Sequence, residues 1–154
     1  MKKVLFTASW VILLVVSLAV VAISINSLRT AYFGKQDALS AGVTLEEIKK
    51  AGGEHGEEAE KAFRGRRATA ATWALGWALM AICLILVPYR TAHRWAWWAL
   101  LLSVVVSQLL SLARYVLIET TSGAGASGIL LGVAVLGLLA GVPRMFGSKE
   151  PPSS

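Results

Sequence analysis

The residues that could do chemistry inside a membrane lie near the end of the third apolar stretch of the chain. Arg114 is an ionisable residue well inside that stretch. At about 100° per residue, its helical neighbours include a sector of hydroxyl, amide and carboxyl side chains. The members of that sector are Ser103, Ser107, Gln108, Ser111, Tyr115 and Glu119. An ionisable group in hydrocarbon costs several kcal/mol, so we expect this sector to face other helices or a cavity.

Three interpretations of Arg114 are open. In the simplest one, its long stem carries the charge to the nearby interface, and Glu119 or lipid phosphates satisfy it there. In the second, the guanidinium faces a cavity on the outer side and binds an anionic group with two N–H donors. The third is a structural ion pair. The ligand-binding hypothesis comprises Arg114, Tyr115, Gln108, Ser111, Ser107 and Glu119.

Enzyme motifs are missing from the sequence. It has no Gly-x-Ser-x-Gly, no His-Glu-x-x-His, no Gly-x-x-x-x-Gly-Lys and no Cys-x-x-Cys. Tyr115 and Glu119, one helical turn apart, lack the nucleophile or second carboxylate that an acid–base pair would need. We therefore predict no catalytic residue and no cofactor, and keep a membrane enzyme acting near Arg114 as the weaker alternative.

His55 stands among three glutamates, a composition that resembles a metal site. No second histidine or cysteine occurs at ligand spacing, however, and acidic residues at a helix start complement the helix dipole. We interpret His55 as a solvated polar residue and predict no metal site.

Four apolar stretches must position these residues. They cover Val4 to Ile25, Ala68 to Val87, Trp95 to Ile118 and roughly Ala124 to Val142. A spanning helix needs about 20 apolar residues, which the first three stretches reach. Hydrophobic residues make up 56% of the chain, above the roughly 45–50% of soluble domains. We predict an all-α integral membrane protein, an up-and-down bundle of four transmembrane helices in one domain.

The predicted boundaries follow from these stretches. The spans are about 4–26, 68–88, 95–118 and 124–142, with an extramembrane helical hairpin at 27–67 and a C-terminal tail at 143–154. In the hairpin, Thr44 and Glu47 form a capping box, and Gly52 and Gly53 end the short helix it opens. A second helix begins near Gly56 and can continue into the second span. Spacings of four predict the ion pairs Glu57 with Lys61 and Glu60 with Arg64.

Small residues predict where helices pack. The fourth span holds two small-xxx-small pairs that point in opposite directions, so one can pack within the bundle and the other against a second molecule. These pairs are Gly128 with Gly132, and Gly137 with Gly141. In the second span, a small and weakly polar stripe predicts a packing seam. That stripe comprises Thr69, Thr72, Trp73, Gly76, Met80 and Cys83.

Charge predicts the orientation. Lys2 and Lys3 precede the first span, and the tight loop after Pro88 holds two arginines beside the interfacial anchors Trp95, Trp97 and Trp98. The hairpin carries more basic residues, which argues mildly the other way. We predict both termini on the cytoplasmic side of a bacterial inner membrane. The N-terminus also resembles a signal peptide, but its apolar run is longer than a signal core, so we expect a retained anchor.

The function that these patterns favour is a non-enzymatic binding or accessory protein, or a subunit of a larger complex. The alternative is a small carrier or binder of an anionic lipid-like ligand near Arg114. Expected partners are the lipid bilayer, a second copy or another membrane protein, and an anionic lipid. We expect no nucleic-acid partner.

Overall fold

The computed structural model describes residues 2–33, 44–117 and 124–147, and these residues form helices and turns without a strand. The helices are α1 (Lys2–Phe33), α2 (Leu45–Ala51), α3 (Gly56–Leu84), α4 (Arg94–Leu117) and α5 (Ala124–Met145). Four segments are long and apolar enough to cross a membrane: Lys3–Phe33, Gly53–Tyr89, Arg94–Ala113 and Ser127–Met145. The prediction of an all-helical chain with four such helices is confirmed, and it indicates a multi-pass membrane protein.

In the predicted hairpin at 27–67, residues 34–43 lie outside the described residues and residues 27–33 continue α1, while the capping box forms as its sequence predicts. Thr44 Oγ1 accepts a hydrogen bond from the Glu47 amide at 3.2 Å, and the Thr44 amide donates to Glu47 Oε2 at 2.6 Å. The short helix α2 ends at Gly52, and a 3₁₀ turn over Gly53–His55 leads into α3. Gly53 has a φ of +53°, which glycine adopts without strain. From Gly56, α3 continues unbroken into the second apolar stretch.

One of the two predicted ion pairs forms. Arg64 Nη2 lies 2.9 Å from Glu60 Oε1. Glu57 pairs instead with Lys49 Nζ, at 3.3 Å, so its predicted pairing with Lys61 is wrong. The reason is tertiary: Gly56 lies directly against the Lys49 carbonyl, so α2 folds back over the start of α3 and brings Lys49 to Glu57.

The break between α3 and α4 follows from Pro88. Proline has no N–H to donate, and here the chain widens into a π-helical turn over Ile85–Tyr89. The Arg90 amide bonds to the Ile85 carbonyl at 3.1 Å, and the His93 amide bonds to the Pro88 carbonyl at 2.9 Å. Ala92 then reverses the chain with a φ of 61°. This turn buries Tyr89 completely.

The long helices contact one another unevenly. α1 packs along both α3 and α5, and α5 also packs along α4. Within the described ranges, the backbones of α3 and α4 come close at few positions, and those of α1 and α4 at none. The four long helices are therefore least closely packed between α3 and α4.

The seam of α3 that packs in the assembly consists of alanines. Ala68, Ala71, Ala78 and Ala81 are buried, and Ile85 continues the row. Small side chains let two backbones approach closely, which is how helices pack in membranes. The stripe through Gly76 that we predicted as a seam lies on the outer surface of this chain. Trp73 is 77% exposed, and a Cβ on Gly76 would meet no atom within 4 Å. A packing role for Gly76 toward another molecule remains a prediction.

Candidate functional site

One end of the assembly, where α1 begins and α5 ends, is held by a buried polar chain. Tyr89 stacks on Phe6 with ring centroids 5.6 Å apart. The hydroxyl oxygens of Tyr89 and Ser9 are 2.6 Å apart, and Ser9 Oγ donates to the Gly137 carbonyl at 2.6 Å. Since the Ser9 proton goes to Gly137, Tyr89 must be the donor to Ser9. We call this end, built around Phe6, Ser9 and Tyr89, the closed end.

Cations lie over aromatic rings around the closed end. The Arg144 guanidinium lies 4.6 Å from the ring centroid of Phe6, and that of Arg90 lies 5.4 Å from the ring of Trp10. Arg94 Nε donates to the Met145 carbonyl at 2.9 Å, which ties the start of α4 to the end of α5. Cation–π contacts of this kind suit the polar boundary of a membrane.

The three tryptophans predicted as interface anchors divide into two groups. Trp95 and Trp98 are exposed, as a side chain that contacts lipid must be. Trp97 is buried, and its Nε1 donates to the Leu138 carbonyl at 2.9 Å. Trp97 therefore joins α4 to α5. The anchoring role of these residues remains a prediction.

The opposite half of the assembly encloses a cavity of about 530 Å³, to which all four long helices contribute. Its apolar lining includes Val20, Ile23, Ala74 and Leu130, together with Trp77 and, at the exposed edge, Trp73. Its polar lining comprises Ser24, Ser107, Gln108, Ser111 and Ser127. The cavity is partly open, and two of the helices that line it, α3 and α4, share few contacts.

The polar lining is concentrated on α4 and its neighbour α5. Ser111 Oγ lies 3.2 Å from Ser127 Oγ, so the two helices are joined by hydroxyl groups at the cavity wall. Ser107 donates to the Val104 carbonyl of its own helix at 3.0 Å, which leaves its oxygen lone pairs available as acceptors. The cavity thus combines an apolar volume with hydrogen-bonding groups along one side.

The structure brings together three of the six residues in the ligand-binding hypothesis: Ser107, Gln108 and Ser111 all line the cavity. Arg114 and Tyr115 lie on the next turn of α4, and their side chains are outside the described residues. Glu119 also lies outside the described residues. Their part in binding remains a prediction.

A row of serines on α1 was not singled out from the sequence. Ser9, Ser17 and Ser24 are buried, and Ser27 is partly buried. Their spacing of eight, seven and three residues places them on one helical face, and this was the signal that could have found them. Ser9 belongs to the closed end, and Ser24 lines the cavity.

The two glycine pairs of α5 differ in their surroundings. A Cβ on Gly137 would lie 3.1 Å from Ile12 Cγ2, and one on Gly141 would overlap the Tyr89 hydroxyl. Cβ atoms on Gly128 and Gly132 would meet nothing within 4 Å. Within this chain, close helix approach therefore occurs at Gly137 and Gly141.

Within residues 2–33, 44–117 and 124–147, no three histidine, cysteine or acidic side chains are grouped to hold a metal ion. His55 Nδ1 lies 3.5 Å from Glu58 Oε2 on the exposed hairpin.

Comparison of the chain with protein-family models, curated proteins and solved structures finds no significant match in any of the three.

Proposed function

We propose that this protein is a non-enzymatic binding protein that holds a lipid-like amphiphile between its four long helices. The observation that supports this most is the cavity of about 530 Å³, which falls within the roughly 300–1,000 Å³ of small-molecule sites. Its lining is largely apolar, and one side carries Ser107, Gln108 and Ser111. Since α3 and α4 share few contacts, we propose that a lipid enters from the bilayer between them.

The proposal includes the finer architecture. We place the four long helices as an up-and-down bundle in a bacterial inner membrane, with both termini cytoplasmic and the hairpin outside. Support comes from the closed end, where the first turns of α1 meet the π-helical turn and the last turns of α5. The cavity would then lie toward the outer leaflet.

We further propose that the ligand carries an anionic group bound by Arg114, with Gln108 and Tyr115 orienting it. Support comes from the same polar sector of α4, in which Ser107, Gln108 and Ser111 open onto the cavity. A guanidinium binds phosphate or carboxylate through two parallel N–H donors, which a primary ammonium cannot do.

An accessory role in a larger complex or a homo-oligomer is the second candidate. Gly128 and Gly132 are exposed, with open space around them, on a helix whose outward side chains include Ile129 and Leu136. A partner helix could approach such a face closely.

Filling the cavity tests the binding function. Ala74→Trp would place an indole in the cavity, whereas Ala70→Trp, one turn away on the same helix, would place it on the exposed surface. Purified proteins in mild detergent would be incubated with bacterial polar lipids and analysed by native mass spectrometry. We expect wild type and Ala70→Trp to retain a lipid and Ala74→Trp to lose it. Equal retention by both variants, or none by wild type, would contradict the proposal.

A further inference from the structure

Arg67 occupies the interior face of α3, although in the sequence it belongs to a basic run at the edge of the span. The face repeats at alternating steps of four and three residues. Its members are Arg67, Ala71, Ala74, Ala78, Ala81 and Ile85. Ala71, Ala78, Ala81 and Ile85 are buried, and Ala74 lines the cavity. At 1.5 Å per residue, Arg67 lies about 10 Å along the helix from Ala74.

The partner of Arg67 on α1 occupies the corresponding face. Arg67 Nε lies 3.3 Å from Ser27 Oγ, to which it donates. Ser27 is seven residues, or nearly two turns, from Val20, and both Val20 and Ser24 line the cavity. The contact between Arg67 and Ser27 therefore joins α1 and α3, two of the four helices that line the cavity, about two turns beyond the lining residues Val20 and Ala74.

The rest of the guanidinium is available for a ligand. The ion pairs of the described residues join Lys49 to Glu57, His55 to Glu58 and Arg64 to Glu60, and none includes Arg67. Within the described part of the chain, Arg64, one turn away, therefore has an acidic partner and Arg67 has none. The Nε contact with Ser27 fixes the guanidinium plane and leaves the two terminal nitrogens as donors.

We infer that Arg67 binds the phosphate of an anionic phospholipid whose acyl chain enters the cavity. This inference rests on the proposed function. It adds a second cationic contact to the headgroup, on α3, beside the one proposed for Arg114 on α4, and it names the ligand class. Arg67 directly precedes the apolar stretch that begins at Ala68, so its charge lies where lipid phosphates lie. The separation of about 10 Å from Ala74 leaves room for the glycerol and first methylenes between phosphate and cavity.

The test compares two lipids on matched variants. Phosphatidylglycerol, which is anionic, and phosphatidylcholine, which is zwitterionic, are titrated into delipidated protein in detergent, and occupancy is read by native mass spectrometry. We expect Arg67→Gln to weaken phosphatidylglycerol binding about tenfold, as loss of one charge-assisted contact predicts. Binding of phosphatidylcholine should change less. Arg66→Gln removes the same charge from an exposed neighbour and should leave both affinities unchanged.

A second variant keeps the inference testable if Arg67→Gln does not fold. Arg67→Lys retains charge and stem but loses the planar donor pair, so we expect severalfold weaker phosphatidylglycerol binding at unchanged thermal stability. Wild-type affinity in whichever of these two variants folds would overturn the inference. Binding of inorganic phosphate alone as tightly as phosphatidylglycerol would also overturn it, because the acyl chain would then contribute nothing to affinity.

The two proposals fail in different ways. If Ala74→Trp abolishes binding of both lipids while Arg67→Gln binds phosphatidylglycerol like wild type, the cavity function stands and the headgroup site is wrong. If wild type binds neither lipid, the cavity function itself is wrong.

Discussion

The hydroxyl group of Tyr89 lies 2.6 Å from that of Ser9, although 80 residues separate them in the sequence. Ser9 in turn donates a hydrogen bond to the Gly137 carbonyl, so one chain of hydrogen bonds joins α1, the π-helical turn and α5. Both side chains are fully buried. The closed end is thus fixed by directional bonds, while the other half of the assembly is left with a cavity that a ligand can fill.

Tyr89→Phe should destabilise the protein modestly. The substitution removes the donor to Ser9 but leaves the stacking on Phe6 and the Ser9 bond to Gly137. Interhelical hydrogen bonds in membranes contribute about 0.6 kcal/mol on average and about 1.7 kcal/mol at most. The free energy of unfolding in detergent would measure the loss. Tyr32→Phe, at an exposed position, is the control, and an equal effect of the two substitutions would contradict the role of Tyr89.

Gly141→Ala should destabilise the protein more than Gly128→Ala. A methyl group at Gly141 would overlap the Tyr89 hydroxyl and approach Ser9 Oγ to 2.8 Å, whereas one at Gly128 meets open space. Overpacking costs about 1–3 kcal/mol. Thermal unfolding of the two variants, which carry the same change on the same helix, gives the comparison. Similar melting temperatures of the two variants would contradict this prediction, because the contact between α1 and α5 would then accommodate the methyl group without loss of stability.

The capping box and the membrane spans could be predicted from the sequence because both depend on residues that are close together along the chain. Thr44 and Glu47 are three residues apart, and the spans are set by composition over about 20 residues. The packing face of α3 could not be predicted in this way. Small and weakly polar residues usually mark packing faces in a membrane, so Thr72 and Gly76 favoured the wrong face, while alanines such as Ala78 pack closely and are also common on lipid-facing surfaces.

The candidate site was predictable in part for the same reason. The sector holding Ser107, Gln108 and Ser111 stands out in an apolar helix, and the structure places it along the cavity. Arg67 does not stand out, because it is one of several basic residues before the second span. Only the alignment of α1 with α3, which brings Ser27 to it, distinguishes Arg67 from Arg66.

The start of α2 should depend on pH through Glu47. Hydrogen bonds from the Thr44 amide, and then from its side chain, lower the pKa of Glu47. The bonded form is the carboxylate, so the cap is complete above the ordinary carboxyl pKa and is lost as pH falls through the lowered pKa of Glu47. NMR titration of labelled glutamates in micelles measures this. Thr44→Ala should raise the Glu47 pKa, while Thr72→Ala on α3 should not change it.

Topology is testable by labelling single cysteines. His55 on the hairpin and His93 after the π-helical turn are both exposed. In a Cys83→Ser background, a cysteine replacing His55 should react with an impermeant thiol reagent in intact cells, and one replacing His93 should react only after permeabilisation. The basic termini and the two-arginine loop predict this orientation. The reverse labelling would move the cavity to the cytoplasmic leaflet.

Arg114 should respond to substitution differently if it binds a ligand than if it only reaches the interface. It lies on α4 one turn beyond Ser111, which lines the cavity. Arg114→Lys keeps the charge but loses the planar pair of donors, so a recognition site should bind phosphatidylglycerol more weakly, whereas a side chain that merely reaches the interface should be unaffected. Arg114→Gln removes the charge and should impair both roles. Lipid occupancy by native mass spectrometry and thermal stability would be measured together, with Arg66→Lys as the exposed control. If Arg114→Lys matches wild type in both measurements, recognition by Arg114 is excluded and its structural role stands.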